Sequence, residues 1–152
     1  MQVTELGHVV LYVRNLERSR HFYGEVLGFP EVRGDAQPIN FPAAAFSSGR
    51  THHELLLIEV GDDAAAVPSG RRVGMYHIGL KIGDDDQTLR DAIADLNEHG
   101  VPLVGTADHH VSHSLYIADP DGNEIELYVD VPGVDWKNDP GVVMRPTAAL
   151  RL

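Results

Sequence analysis

The chain has 152 residues, 43% of them hydrophobic, enough to build the core of one domain or of two small modules. Its 12 Lys+Arg against 23 Asp+Glu give a formal charge of -11, which argues against nucleic acid and against anionic membrane surfaces as partners. The lack of cysteine excludes disulfides and thiolate sites. The start MQVTELGHVVLYV has no basic n-region or cleavage site, no apolar run reaches the ~20 residues of a membrane span, and the cytoplasm is the expected location.

Residues 8–13 alternate, with His8, Val10 and Tyr12 on one face and Val9, Leu11 and Val13 on the other, which predicts a strand. Asn15 is a candidate N-cap. Leu16, Ser19, Phe22 or Tyr23, Val26 and Leu27 follow at helical spacing, and Gly28 closes the helix. Residues 31–42 are turn-rich, residues 41–46 read as a short strand, and residues 47–50 as a turn. Residues 53–60, HELLLIEV, form a strong strand with His53, Leu55, Leu57 and Glu59 on one face.

Residues 61–74 are acidic, then contain Ala, Pro and Gly, and read as a linker. The pattern then restarts. Residues 77–82, HIGLKI, are another strand opening on histidine. Asp84, Asp85 and Asp86 offer N-caps, Leu89, Ala92, Ile93 and Leu96 form a helical stripe, and His99-Gly100 ends it. Residues 101–104 read as a short strand. In residues 113–130, HSLYIADPDGNEIELYVD, turn residues Asp119 to Asn123 separate two β-rich runs, which predicts a hairpin. On its second strand Ile125, Leu127 and Val129 face a helix, while Glu124, Glu126 and Tyr128 face water or a cavity, and Tyr116 lies across from Glu126. The tail from residue 131, with its lone Trp136 and scattered Val, is expected to be irregular but packed.

The two halves match. HVVLYV plus helix corresponds to HIGLKI plus helix, and LLLIEV corresponds to EIELYV. The expected fold class is α+β, with two βαβββ modules paired about a pseudo-two-fold axis into a cupped eight-stranded mixed sheet. It would be one domain over residues 1–152: module 1 about 5–61, linker 62–74, module 2 about 75–130, tail 131–152. The repeat makes His8 equivalent to His77 and Glu59 equivalent to Glu126. Two histidines and one carboxylate on one face suit the facial triad of non-haem Fe(II) oxygenases, whereas a second carboxylate would suit a Lewis-acid Zn(II), Ni(II), Mn(II) or Co(II) site.

HVVLYVRNLERSRHFYGEVLGF, YHIGL and DPDGNEIELY, in that order, resemble the vicinal oxygen chelate superfamily of glyoxalases, bleomycin-resistance-type binding proteins, epimerases and extradiol dioxygenases. The resemblance implies a divalent metal held by His8, His77 and Glu126. Three further features look like the extradiol enzymes. The His52-His53 pair resembles one whose second member is an acid/base, Tyr116 matches a tyrosine that contacts a catecholate oxygen, and Asp108-His109-His110-Val111-Ser112 resembles a segment whose histidine matches His109. His110 and His113 are the alternatives to His109.

The expected function is therefore an extradiol-type dioxygenase using Fe(II), or else Mn(II). It would act on a small aromatic substrate and O2, with His53, His109 and Tyr116 as catalytic residues, in a homodimer. One alternative is a glyoxalase- or epimerase-like enzyme using Zn(II) or Ni(II) with Glu59 as fourth ligand. The other is a metal-free drug-binding protein. A strand-end Glu59 facing water is the expectation under the dioxygenase reading.

Overall fold

The computed structural model describes residues 1–34 and 40–152, so the middle of the turn-rich stretch expected at 31–42 lies outside the described residues. The chain forms two compact units, Met1–Ala66 and Val67–Leu152. Each is a sheet with a helix on one face, and the class is α+β.

In the first unit, β1 (Val9–Val13), β2 (Ala43–Phe46) and β3 (Leu55–Glu59) form a sheet of order β1-β3-β2. β1 and β3 are parallel, with Val9 beside Leu55, Leu11 beside Leu57 and Val13 beside Glu59; β2 is antiparallel to β3. Asn15 is the N-cap that α1 (Leu16–Arg20) requires, its side chain accepting from Arg18 N at 2.8 Å. The helix then widens into a π-helical stretch, His21–Val26, and Gly28 follows at φ 64. The wide turn lets consecutive residues Phe22 and Tyr23 both reach the core, where the sequence spacing asks for one. Tyr23 meets the ring of Phe46, and Leu11, Leu55 and Leu57 of the same unit are buried as well. Each such side chain contributes about 1.5–3 kcal/mol by leaving water.

The second unit keeps the full βαβββ order: β4 (His77–Gly83), α2 (Asp86–Glu98), β5 (Gly105–Asp108), β6 (Ser112–Ala118) and β7 (Glu124–Asp130). Its sheet has the order β4-β7-β6-β5, with β4 parallel to β7 and the other pairs antiparallel. Asp85 caps α2, accepting from Thr88 N at 2.9 Å. Leu89 and Leu96 then pack among Leu115, Ile117, Ile125, Leu127 and Val129, all buried. The alternation expected for residues 124–130 is therefore the one observed.

Seven strands are present among the described residues, with a single antiparallel bridge, Glu31 with Phe46, next to the stretch that lies outside them; two expectations are corrected. The strand expected at 101–104 begins instead at Gly105, since Pro102 breaks that ladder and Val104 N makes the first bond, to Tyr116 O at 2.7 Å. The tail does pack, but through Val142 in a 3-10 turn (Pro140–Met144) and an Asp108–Ala148 bridge; Trp136 is half exposed with Lys137 over its ring. Among the described residues no helix is long and apolar enough to cross a membrane.

Candidate functional site

In the second unit the chemistry lies on the sheet face opposite α2. Alternation puts Glu124, Glu126 and Tyr128 of β7 there, because Ile125, Leu127 and Val129 are taken into the core. The ladder places Gly79 beside Glu126 and His77 beside Glu124 on one side, and Tyr116 directly across from Glu126 on the other. The tight turn fixes this register. Asp119 accepts from Asp121 N at 2.9 Å and Asn123 N at 2.8 Å, and Gly122 takes φ 89.

Three side chains converge on Glu126. His77 Nε2 lies 3.1 Å from Glu126 Oε2. Tyr116 donates its hydroxyl to Glu126 Oε1 at 3.0 Å and accepts from His109 Nε2 at 2.8 Å. His109 Nε2 is itself 3.4 Å from Glu126 Oε1, and Glu124 lies behind His77. Burial pushes the Tyr116 phenol above its ordinary range, and the Glu126 carboxylate it serves pushes the same way. The phenol is therefore favoured in its protonated form, as the donor to Glu126. Gly79 leaves the face open over Glu126: a Cβ there would sit 3.5 Å from Glu126 Oε2 and from the Tyr128 ring.

The other two histidines of the segment have different work. His113 lies on the α2 side, its Nδ1 2.5 Å from Asp86 Oδ1 and its Nε2 3.7 Å from Asp108 Oδ1. His110, at φ 67, has its Nε2 2.9 Å from Pro146 O in the tail. Of the three, only His109 joins Tyr116 and Glu126.

In the first unit His8 is exposed just ahead of β1, and its ring centroid is 4.5 Å from that of His53. His52 Nδ1 and His53 Nδ1 are 2.6 Å apart. Burial, followed by the neighbouring His52 and His8 rings, lowers the His53 pKa from 6.5 and favours the neutral imidazole. The face expected for His53 is corrected. Alternation groups His53 with Leu55 and Leu57, which are core residues facing α1. β3 starts only at Leu55, so strand alternation does not extend to His53, and the chain ahead of the strand turns its ring toward His8.

Glu59 also differs from both expectations for it. It points neither at water nor at the open face: its Oε2 accepts from Leu16 N, the first residue of α1, at 2.8 Å. The equivalence of Glu59 with Glu126 is overturned by the ladders. Val9 pairs with Leu55 in one unit and Ile78 with Ile125 in the other, so Leu56 is the counterpart of Glu126, and Glu59 that of the core residue Val129. A carboxylate at the end of β3 is visible in the sequence; which residue pairs with which on β1 is not.

Among the described residues no three His, Asp or Glu side chains are grouped to hold a metal ion. What the second unit offers is a ligand pair, one imidazole and one carboxylate, with a phenol and a second imidazole behind the carboxylate. Polar atoms with unspent bonding capacity lie beside it. His77 Nδ1 and Glu124 Oε1 are buried without a hydrogen-bond partner among the described residues. An imidazole and a carboxylate are donor types that a divalent transition metal takes, and they are two of the three that an open site needs.

Residues 5–127 match the Glyoxalase/Bleomycin resistance protein/Dioxygenase superfamily. The chain is 37% identical over 136 residues to a catechol-2,3-dioxygenase of Bacillus subtilis, a match covering 90% of this chain and 45% of that protein. It is 31% identical to biphenyl-2,3-diol 1,2-dioxygenase 3 of Rhodococcus globerulus, over 86% of this chain and 66% of that one. The chain thus spans about half to two thirds of the length of these two dioxygenases. It is also 29% identical to a probable lactoylglutathione lyase of Synechocystis, over 80% of this chain and 92% of that protein. A glyoxalase/dioxygenase structure from Nostoc punctiforme has the same fold, with a TM-score of 0.68 at 23% identity, covering 84% of this chain and 91% of that one.

Proposed function

The chain belongs to the glyoxalase/bleomycin resistance protein/dioxygenase superfamily, and from that premise we propose that it is a metal-dependent extradiol-type dioxygenase acting on a catechol-like substrate. Its reaction inserts both atoms of O2 across the ring carbon–carbon bond beside the two hydroxyl-bearing carbons. One observation carries the choice within the family: the repeat position equivalent to Glu126 is Leu56, and Glu59 is occupied at the start of α1. The repeat therefore supplies two histidines and one carboxylate, the set that leaves positions free for substrate and O2. The 37% identity to a catechol-2,3-dioxygenase supports the same choice.

His8, His77 and Glu126 would hold the metal, Fe(II) by preference and Mn(II) as the alternative; His8 enters through its equivalence with His77 in the repeat. When bound, the metal supplies a Lewis acid for two adjacent substrate oxygens and a redox centre for O2. The residues around it do the rest. Tyr116 fixes one carboxylate oxygen of Glu126 with its hydroxyl proton, and its oxygen, held by His109, keeps a lone pair to accept from a substrate hydroxyl. His109 orients that hydroxyl through the 2.8 Å contact, and its imidazole can hold or release a proton at the substrate. His53, kept neutral by burial and its histidine neighbours, takes a proton from a substrate hydroxyl.

The test is O2 uptake by protein reconstituted anaerobically with Fe(II) or Mn(II) and offered a panel of catechols. One O2 consumed per ring cleaved is expected. Isomerisation of an α-hydroxycarbonyl substrate by the Zn(II) or Ni(II) form, with no O2 uptake on any catechol, would replace this proposal with the glyoxalase-like one.

A further inference from the structure

Two polar atoms of the second unit have no part in the network around Glu126. His77 Nδ1 and Glu124 Oε1 are both buried, both lack a hydrogen-bond partner among the described residues, and face each other at 3.4 Å. The ladder brings them together, since His77 and Glu124 are a parallel pair at the first positions of β4 and β7. We propose that Glu124 is a positioning residue for His77: its carboxylate accepts the Nδ1 proton and so presents Nε2 as the free lone pair on the Glu126 side. This rests on the reading of His77 as a metal ligand.

Two tautomers compete. A neutral imidazole has one N–H and one lone pair, and the hydrogen bond made by one nitrogen decides which is which. With the proton on Nε2 alone, the Nδ1 lone pair would face a carboxylate oxygen at 3.4 Å, and two buried acceptors would go unsatisfied. With the proton on Nδ1, the 3.4 Å contact becomes a charge-assisted hydrogen bond once the carboxylate closes up and aligns with the N–H. Nε2 then faces Glu126 Oε2, 3.1 Å away, acceptor to acceptor, so this tautomer is the favoured one when a metal ion lies between the two. A carboxylate behind a ligating histidine also makes that ligand more basic.

The first unit lacks this device, although it has the residues for it. Continuing the β1–β3 register back one step sets His8 beside Glu54, whose carbonyl accepts from Val9 N at 2.9 Å. The Glu54 carboxylate is spent elsewhere, on the Ser48 hydroxyl and on Arg50 Nε, each at 2.9 Å. Only the second unit leaves its carboxylate facing its histidine.

The experiment is an anaerobic Co(II) titration, read by affinity and by absorption bands, of wild type, Glu124→Ala and Glu124→Gln, with Glu126→Ala as the control that removes a ligand. Glu124→Ala should bind Co(II) about 10–100-fold more weakly with altered bands, as for loss of a partner behind a ligand. Glu124→Gln, whose amide oxygen still accepts from Nδ1–H, should recover most of the affinity. Wild-type affinity and bands in Glu124→Ala, or a Gln variant no better than Ala, would overturn the proposal. A wild type that takes up no Co(II) would defeat the metal site itself. Imidazole 15N shifts of the Zn(II)-loaded protein also test the role of Glu124: a slowly exchanging His77 Nδ1–H that is perturbed in Glu124→Gln supports it, and identical shifts overturn it.

Discussion

Substituting Glu59 separates the dioxygenase reading from its glyoxalase-like rival. In the structure Glu59 is a helix cap: its Oε2 takes the N–H of Leu16, at the positive end of α1, at 2.8 Å. Glu59→Gln keeps an acceptor but removes a charge from the helix N-terminus, a loss of about 0.3–1 kcal/mol. Glu59→Ala removes the acceptor as well, a loss of about 1–2 kcal/mol. At about 2–4 °C per kcal/mol for a chain of this size, Gln should lower the melting temperature by a few degrees at most and Ala by roughly 2–8 °C. Metal content, measured on the same samples after anaerobic reconstitution, should not change in either variant. A Gln variant that melts like wild type but loses its metal would make Glu59 a ligand, and its register equivalence with Val129 would no longer decide its role.

Three further outcomes follow from the same geometry. Tyr116→Phe removes the hydroxyl that joins His109 to Glu126, a charge-assisted bond of about 1.5–3 kcal/mol, so ring-cleavage turnover should fall about 10–100-fold with metal content retained. In an NMR titration of the metal-free protein, His53 should titrate below 6.5, and His52→Asn, which removes a neighbouring positive charge, should raise that midpoint; a wild-type midpoint at or above 6.5 would contradict the neutral-base role. The sign for stability follows. With its folded pKa depressed, His53 contributes stability that is present above 6.5 and is lost as the pH falls through the folded midpoint. Asp119→Ala leaves Asp121 N, Asn123 N and Asn123 Nδ2 without their acceptor in the hairpin turn and should cost about 2–3 kcal/mol in urea unfolding.

The hairpin and the repeat are readable in the sequence because they rest on local rules. Turn chemistry at Asp119 to Asn123 centres the hairpin, centring sets parity, and parity alone puts Tyr116 across from Glu126. Local rules fail where a residue's partner is distant. Glu59 and Glu126 look alike as carboxylates in the last strand of each half, and only the pairing of β1 with β3 shows that Leu56 holds the equivalent place. Strand alternation gives His53 a face, but the ladder does not reach it. His109, His110 and His113 cannot be told apart by spacing, since the choice depends on the positive φ of His110 and on contacts with Pro146 and Asp86. Parity assigns Glu124 to the correct face, yet its relation to His77 needs the parallel register between β4 and β7.

The central claim is a donor set of two histidines and one carboxylate, and the most direct measurement is the iron stoichiometry of His8→Ala, His77→Ala and Glu126→Ala beside wild type after anaerobic Fe(II) loading. Such a donor set predicts about one iron per wild-type chain and loss of it in each of the three variants, with folding intact by circular dichroism. Full iron content in any one of the three, or loss of iron in Glu59→Gln, would contradict it.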